Sequence, residues 1–197
     1  HGIRAFLRTY YHFKSADWKQ NQPFKLTAFT AGELAKMPTY YVMDFDRGMA
    51  ETVAEEMPSA NEIAACKWLT DEELAVYAAE FGRTGFQGGL QWYRCSGGKY
   101  TSELEMFSGR TIDVPACFIA GKSDWGVYQT PGAFERMQTV ACIQWRGTNW
   151  LMVRDIGYNR SNRRRSVDCC CNSFADEKKP TSANRSVEPV LRLMERV

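Results

Sequence analysis

The first apolar residues of the chain recur with a helical period. From Ile3 to Lys14 they follow the spacing of an amphipathic helix, which buries one stripe of its side chains. A second, shorter helix is predicted from Thr30 to Met37, and Pro38 ends it because proline cannot continue the backbone hydrogen bonds of a helix. The first part of the chain is therefore expected to be helical.

The clearest helix start in the sequence lies at Asp71. Thr70 is a suitable N-cap and Glu73 follows three residues later, so that the two side chains can form a capping box. We expect this helix to run to about Ala79 and to stop before the glycine-rich stretch 82–89.

Two buried strands are predicted in the second part of the chain, whereas no segment before Tyr100 has a convincing strand pattern. Val114 to Ala120 is a short, nearly continuous apolar run that ends at Gly121, as expected for a strand that is buried on both faces. Val140 to Trp145 has the same character and predicts a second buried strand.

A helix start lies between the two predicted strands. Thr130 is followed by Pro131, and proline at the first helical position costs nothing because its missing N–H would have no partner there. Strand, helix and strand form the repeating unit of a parallel α/β sheet. We therefore predict an α/β protein in which a helical region, residues 1–108, precedes a strand–helix–strand piece of a parallel core sheet, residues 109–148.

The composition of the chain changes near residue 149. Residues 1–148 carry 15 Lys+Arg against 17 Asp+Glu, whereas residues 149–197 carry 10 against 6. The first part also holds 23 of the 26 aromatic residues. We expect residues 149–197 to be a basic, disordered tail that is unrelated to the preceding fold. The whole-chain net charge of +2 gives no argument for binding nucleic acid or a membrane surface.

Cysteine usage and hydropathy predict a cytoplasmic protein. The seven cysteines are an odd number, three of them are adjacent at positions 169–171, and the others are single residues in apolar stretches. This distribution is typical of reduced thiols. No apolar run approaches the roughly 18 residues that a membrane span requires, and no signal peptide is visible. Because the chain begins with His1, residues before it, with any targeting signal, are expected to be missing.

Two stretches carry candidate chemistry. Asp124 follows the first predicted strand, at the carboxyl end of a sheet where α/β proteins hold their functional sites, although its carboxylate could instead only cap a turn or the next helix. Residues 84–93 combine three glycines with Phe86, Trp92 and Tyr93. Such a segment could line an apolar pocket with one hydroxyl donor, and the alternative is a tight turn with aromatic packing.

Together these two stretches resemble the epoxide-hydrolase branch of the α/β-hydrolases. In that family a helical cap, or lid, ends in a segment similar to Thr84-Gly-Phe-Gln-Gly-Gly-Leu-Gln-Trp-Tyr-Arg94. The core then resumes with a strand similar to Val114-Pro-Ala-Cys-Phe-Ile-Ala-Gly-Lys-Ser-Asp124. Both motifs occur here in the family's order, and the resemblance covers about residues 1–148. It implies an α/β-hydrolase fold in which residues 1–108 are the cap.

The resemblance also implies roles for individual residues. In this family an Asp nucleophile opens the epoxide to an ester, two cap tyrosines donate hydrogen bonds to the epoxide oxygen, and a water activated by a His–acid pair releases the diol. Tyr93 matches one of the tyrosines. In this family the other tyrosine precedes a Gly-x-Ala-Glu stretch by eight residues, and counting back from Gly48-Met-Ala-Glu51 gives Tyr40. Tyr41 is its rival if the loop differs by one residue. Asp124 matches the acid that orients the histidine.

The resemblance further implies a pocket wall formed by Phe86, Trp92 and Trp125, a small-molecule epoxide as substrate, no metal or organic cofactor, and a possible homodimer. Three essentials of the family are not found. The nucleophile and the oxyanion-hole loop precede the cap in this family and would lie before His1. The catalytic histidine should follow the second strand, yet His1 and His12 are the only histidines. We therefore expect an epoxide-hydrolase fragment without turnover of its own.

A shifted reading frame is our hypothesis for the missing histidine. With permitted synonymous codons, residues 149–175 read one frame over can encode the family's histidine motif and its final helix. The histidine then falls at the junction of Asp155 and Ile156, and a stop codon is permitted at the junction of Asp176 and Glu177, after the final helix. We predict a frameshift after Thr148, and coding DNA in which the Asp155 and Ile156 codons do not overlap to CAT or CAC would exclude it.

Two features of the tail, and two other classes of protein, offer alternatives to the epoxide-hydrolase fragment. The run Arg160 to Arg165 could bind nucleic acid and the cysteine triplet could bind a metal, but the run has no interleaved aromatic residues and the triplet has no paired ligands at zinc-finger spacing. A frameshift would make both of them by-products. A fragment of a related hydrolase, such as a haloalkane or haloacetate dehalogenase, and a non-catalytic interaction fragment are the remaining alternatives.

Overall fold

The structure, a computed structural model, describes residues 2–97 and 101–151. The arginine run and the cysteine triplet of the predicted tail lie outside the described residues. Within the described ranges, no helix is long and apolar enough to cross a membrane.

Helices make up the first part of the chain and a pair of strands follows them. The helices that precede the strands are α1 (Ile3–Lys14), α2 (Ala31–Leu34), α3 (Met49–Ala54), α4 (Ala60–Ala65), α5 (Asp71–Thr84), α6 (Gln87–Gly97), α7 (Thr101–Leu104) and the 3₁₀ turn Glu105–Phe107. The second part contains β1 (Ile112–Gly121), the 3₁₀ turn Trp125–Val127, α8 (Ala133–Arg136), the π turn Met137–Ala141 and β2 (Cys142–Leu151). The described residues before β1 form no strand, as the sequence predicts.

Helices α1 and α5 begin as predicted. At the start of α5, the Thr70 hydroxyl oxygen accepts a bond of 3.2 Å from the Glu73 amide, and the Glu73 carboxylate accepts one of 3.0 Å from the Thr70 amide. This helix continues past Ala79 because Gly82 is tolerated inside it, at a cost of about 1 kcal/mol relative to alanine. It ends at Gly85, whose φ of 68° is a left-handed conformation that glycine adopts without strain.

The contact between α1 and α5 contains one apolar cluster and one buried cation. Leu7, Leu69 and Leu74 form the buried centre of the cluster. Beside it, the Arg8 guanidinium donates to the Leu69 carbonyl oxygen at 2.7 Å and to the Asp71 carboxylate at 2.9 Å. The bond from Arg8 holds the pKa of Asp71 below its usual value. The start of α5 is thus attached to α1 by packing and by charge.

Strands β1 and β2 pair in parallel, as predicted, with Ala116 opposite Trp145. The expectation that both strands are buried on their two faces is wrong for the described residues, because the exposed fractions of Val114 and Ile143 are 64% and 65%. The physical reason is that side chains on the two faces of a sheet are buried only where other elements pack against those faces, and the described residues leave Val114 and Ile143 uncovered.

The structure corrects three predicted boundaries. The helix expected at Thr130–Pro131 begins only at Ala133, because Gly132 has a φ of 73°, which no right-handed helix can contain. The helix expected over Thr30–Met37 is confined to Ala31–Leu34. The second strand begins at Cys142, after the π turn, and extends to Leu151. The proposed division of the chain at residues 108 and 148 stays a prediction.

Candidate functional site

Two adjacent tyrosines occupy the loop between α2 and α3. Tyr40 is only 6% exposed and belongs to an apolar cluster with Phe13 and Trp125. Its ring meets that of Phe13 edge to face, with 4.8 Å between the centroids. The half-buried ring of Tyr41 lies 4.8 Å from that of Tyr40. Tyr40 is therefore a core residue, whereas Tyr41 lies at the edge of the core.

A lysine ammonium lies over these rings. The Lys14 Nζ atom is 5.3 Å from the centroid of Tyr40 and 5.5 Å from that of Tyr41, which are cation–π distances. It also donates a hydrogen bond of 3.1 Å to the hydroxyl oxygen of Tyr10, one helical turn earlier in α1. The last turn of α1 thus places a positive charge beside the tyrosine pair.

Burial raises the pKa of both phenols of the pair. After burial, Tyr41 and the negative charge of Asp124 contribute most to the raised pKa of Tyr40. The corresponding groups that raise the pKa of Tyr41 are Asp124, Tyr10 and Tyr93. Both hydroxyl groups therefore keep their protons at neutral pH and can act only as neutral hydrogen-bond donors or acceptors. The same influences place Asp124 and Tyr93 in the electrostatic neighbourhood of Tyr41.

Asp124 follows the carboxyl end of β1 and caps the 3₁₀ turn that comes next. Its Oδ1 atom accepts a bond of 2.8 Å from the Gly126 amide. A Cβ atom at position 126 would lie 3.1 Å from that oxygen, a tight contact that would require the carboxylate to shift by a few tenths of an ångström. The capping role that the sequence left open is thus present. It uses only Oδ1, and Oδ2 accepts no hydrogen bond from the described residues.

Trp125 lies inside the core beside the tyrosine loop. Its side chain is 4% exposed, and its ring meets that of Phe24 edge to face at 5.1 Å. The Nε1 atom is buried and has no hydrogen-bond partner in the described part of the chain.

The glycine-rich stretch 84–93 turns at Gly85 between α5 and α6, and its role as a pocket wall stays a prediction. After Gly85 it enters α6, where Trp92 and Tyr93 are 74% and 69% exposed. Phe86 instead stacks on Phe81, with 4.6 Å between the ring centroids. Of the residues predicted to line a pocket, Phe86 and Trp125 therefore pack in two different apolar clusters.

Two residues of this region, Lys14 and Asn21, are not among those predicted from the sequence. Lys14 has a local signal, since it follows Tyr10 by one helical turn and precedes the tyrosine pair in the chain. Asn21 has none, because its amide group bonds the Ser123 carbonyl, which is 102 residues away in the sequence. No group of three or more side chains of metal-ligand type occurs among residues 2–97 and 101–151.

Comparison with solved structures defines the class of the fold. The chain matches a structure of a potato epoxide hydrolase variant with a TM-score of 0.51 and 21% identity, over 88% of this chain and 46% of that one. The helices and the parallel strand pair thus form a partial α/β-hydrolase fold. No model of a protein family matches the chain.

Sequence comparison shows which α/β-hydrolases the chain resembles. Over 57 residues, or 29% of this chain, it is 47% identical to Epoxide hydrolase A of Mycobacterium tuberculosis, of which the match covers 17%. Over 69 residues, or 34% of this chain, it is 46% identical to Epoxide hydrolase 3 of Siraitia grosvenorii, of which the match covers 21%. The chain is therefore epoxide-hydrolase-like over part of its length, and the matches span about a fifth of these relatives.

Proposed function

We propose that this chain supplies the epoxide-polarising tyrosines and the acid of an epoxide hydrolase, which converts an epoxide and water to a vicinal diol. The observation that carries the proposal is that Tyr40 and Trp125, the residue after Asp124, belong to one core cluster against which Tyr41 packs. Asp124 and Tyr93 also help to raise the pKa of Tyr41. The named relatives, all epoxide hydrolases, support the same class of reaction. A cytoplasmic location and a homodimer remain predictions.

The proposed reaction has two steps. A carboxylate oxygen of an aspartate attacks one epoxide carbon, an ester bond forms, and the ring C–O bond breaks onto the epoxide oxygen. Two phenols donate hydrogen bonds to that oxygen while it gains charge, and it then takes up a proton. Water that has lost a proton to a histidine attacks the ester carbonyl, which releases the diol and restores the carboxylate. No residue of this chain matches the nucleophile or histidine motif, so the proposal takes both from outside it.

Of the two loop tyrosines, we favour Tyr41 as the partner of Tyr93. A donor to substrate must reach the ligand, and Tyr41 is less buried than Tyr40. Tyr93 also acts electrostatically on Tyr41. Tyr40, which the spacing to Gly48 predicts, would then support the ring of Tyr41. The Lys14 ammonium would favour negative charge on the epoxide oxygen.

Asp124 is proposed to orient the missing histidine through Oδ2. Among the described residues, the one histidine lies elsewhere: burial lowers the pKa of His12, and the acidic groups that act on it are Glu62, Asp17 and Glu56. We therefore expect the purified 197-residue protein to form no diol from a styrene-type epoxide.

A chimera can test the tyrosine assignment. Residues 2–148 would replace the corresponding segment of Epoxide hydrolase A of Mycobacterium tuberculosis, which retains its own nucleophile and histidine. We expect diol formation from a styrene-type epoxide, and a fall in kcat of about 10²-fold in Y41F and in Y93F, because each removes one donor to the developing oxyanion. Y40F, the matched control, should lose less than about tenfold.

Several outcomes would contradict these assignments. A larger loss in Y40F than in Y41F would return the role to Tyr40. Diol formation by the isolated 197-residue protein would disprove the need for residues outside it. Halide release from a haloalkane by the chimera, without diol formation from an epoxide, would favour the dehalogenase alternative.

A further inference from the structure

A segment from the helical part of the chain runs along the loop that carries Asp124. We call residues 21–26 the strap and residues 122–128 the acid loop. The strap and the acid loop contact each other at three points, which follow the same order along both segments. Asn21 Nδ2 donates to the Ser123 carbonyl oxygen at 3.1 Å, the Phe24 ring meets Trp125, and the Leu26 amide donates to the Tyr128 carbonyl oxygen at 3.3 Å.

Asn21 is the first residue of the strap. It is 9% exposed, and its Nδ2 atom also donates to the Ser15 carbonyl oxygen at 2.9 Å. Ser15 is the C-cap of α1, is fully buried, and donates through its hydroxyl to the His12 carbonyl oxygen at 2.8 Å. Because both partners of Nδ2 are carbonyl oxygens, only the NH₂ side of the amide can face them. One side chain therefore joins the end of α1 to the acid loop.

The bond from Asn21 acts on the peptide group that precedes Asp124. The Ser123 carbonyl and the Asp124 amide belong to one planar peptide unit. Asn21 holds the carbonyl side of this unit, and the Asp124 amide donates to the Gly121 carbonyl oxygen at 3.2 Å on the other side. With both sides held, rotation of the unit is restrained, and so is the direction in which the Asp124 side chain leaves the backbone.

We infer that Asn21 is a positioning residue for Asp124, through which the helical part of the chain sets the orientation of the acid. Its catalytic meaning rests on the proposed function, whereas its effect on the acid loop does not. Without this bond the Ser123–Asp124 peptide unit gains freedom, and Asp124 holds a histidine less well.

The first test measures the acid loop of the 197-residue protein by amide hydrogen exchange, followed by NMR. In N21L and N21D we expect the Asp124 amide to exchange about tenfold faster, because the peptide unit has lost one of its two restraints. The amides inside α5 should keep their wild-type rates. Q22A, which changes the exposed neighbour of Asn21, is the matched control and should leave the Asp124 amide unchanged.

N21D adds a signature that general loss of packing would not produce. A carboxylate at position 21 would face the two carbonyl oxygens as a third acceptor, whereas a protonated carboxyl group can donate one bond to them. Protection of the Asp124 amide, corrected for intrinsic exchange, should therefore be higher at pH 5 than at pH 8 in N21D. In N21L it should not depend on pH.

Separate outcomes decide the inference and the proposed function. Wild-type protection of the Asp124 amide in folded N21L and N21D would overturn the inference. If neither variant folds, N21A decides, since it removes the donor without adding bulk; exchange at Asp124 should again be faster, and an unchanged rate would overturn the inference. In the chimera, N21L should lower kcat about tenfold and lower KM with it, so that kcat/KM stays nearly unchanged, because Asp124 acts on ester hydrolysis, the step that follows ester formation. A chimera without activity, combined with the expected exchange rates, would overturn the proposed function alone.

Discussion

The D124N variant of the chimera is expected to lose about 10⁴-fold in kcat. The estimate comes from Ser-His-Asp enzymes, in which the same change leaves the geometry intact but the histidine in the wrong tautomer. In the proposed reaction this loss affects ester hydrolysis and spares ester formation, since only the water step needs the histidine. Rapid mixing with a styrene-type epoxide, followed by mass spectrometry of the protein, should therefore detect an accumulated ester.

The control for D124N is D113N, which changes an exposed aspartate of β1. Asp113 accepts a bond of 2.6 Å from the Thr111 hydroxyl and lies on β1, the strand that leads into the acid loop. We expect it to retain most of the activity. Equal losses of kcat in D124N and D113N would show that any change in this part of the chain impairs activity. Absence of an accumulated ester in D124N would show that Asp124 does not act in ester hydrolysis.

The L7A variant of the 197-residue protein is expected to lose about 2–5 kcal/mol of stability. Leu7 is 2% exposed and packs against Leu69 and Leu74 where α1 meets α5. The truncated side chain would leave a cavity between two helices that are also held together through Arg8. Since the free energy of unfolding of a small domain is only about 5–15 kcal/mol, L7A would remove much of it.

Urea unfolding followed by circular dichroism measures this loss. The control is I3A, a truncation of an aliphatic residue on the same helix that is 36% exposed, and it should change the free energy of unfolding by less than about 1 kcal/mol. Equal effects of L7A and I3A would mean that the contact between α1 and α5 does not stabilise the fold.

The local elements of this fold could be predicted where neighbouring residues alone decide them. The capping box at Thr70 and the apolar stripe of α1 require only spacing within one or two helical turns, and both helices begin where the sequence places them. Local spacing also predicts the parallel pairing of the two strands, because a short crossover with a helix leaves little alternative.

Local spacing does not predict burial or side-chain neighbours where these depend on distant groups or on backbone geometry. The apolar run of β1 indicates burial, but the exposure of Val114 depends on which elements lie against it. The choice between Tyr40 and Tyr41 has no period to settle it, since both lie in one loop. Tyr93 is predicted by its motif, yet its proximity to Tyr41 depends on how α6 packs.

Short-range sequence patterns therefore establish the class of the protein: two motifs in a fixed order, one around Tyr93 and one ending at Asp124, indicate an epoxide-hydrolase-like α/β-hydrolase. The groups that surround the candidate site follow from the folded chain. Lys14 lies over the tyrosine pair and Asn21 holds the peptide before Asp124. The physical reason is that a motif reflects what a few consecutive residues must do, whereas a hydrogen bond across 102 residues exists only after the chain has folded.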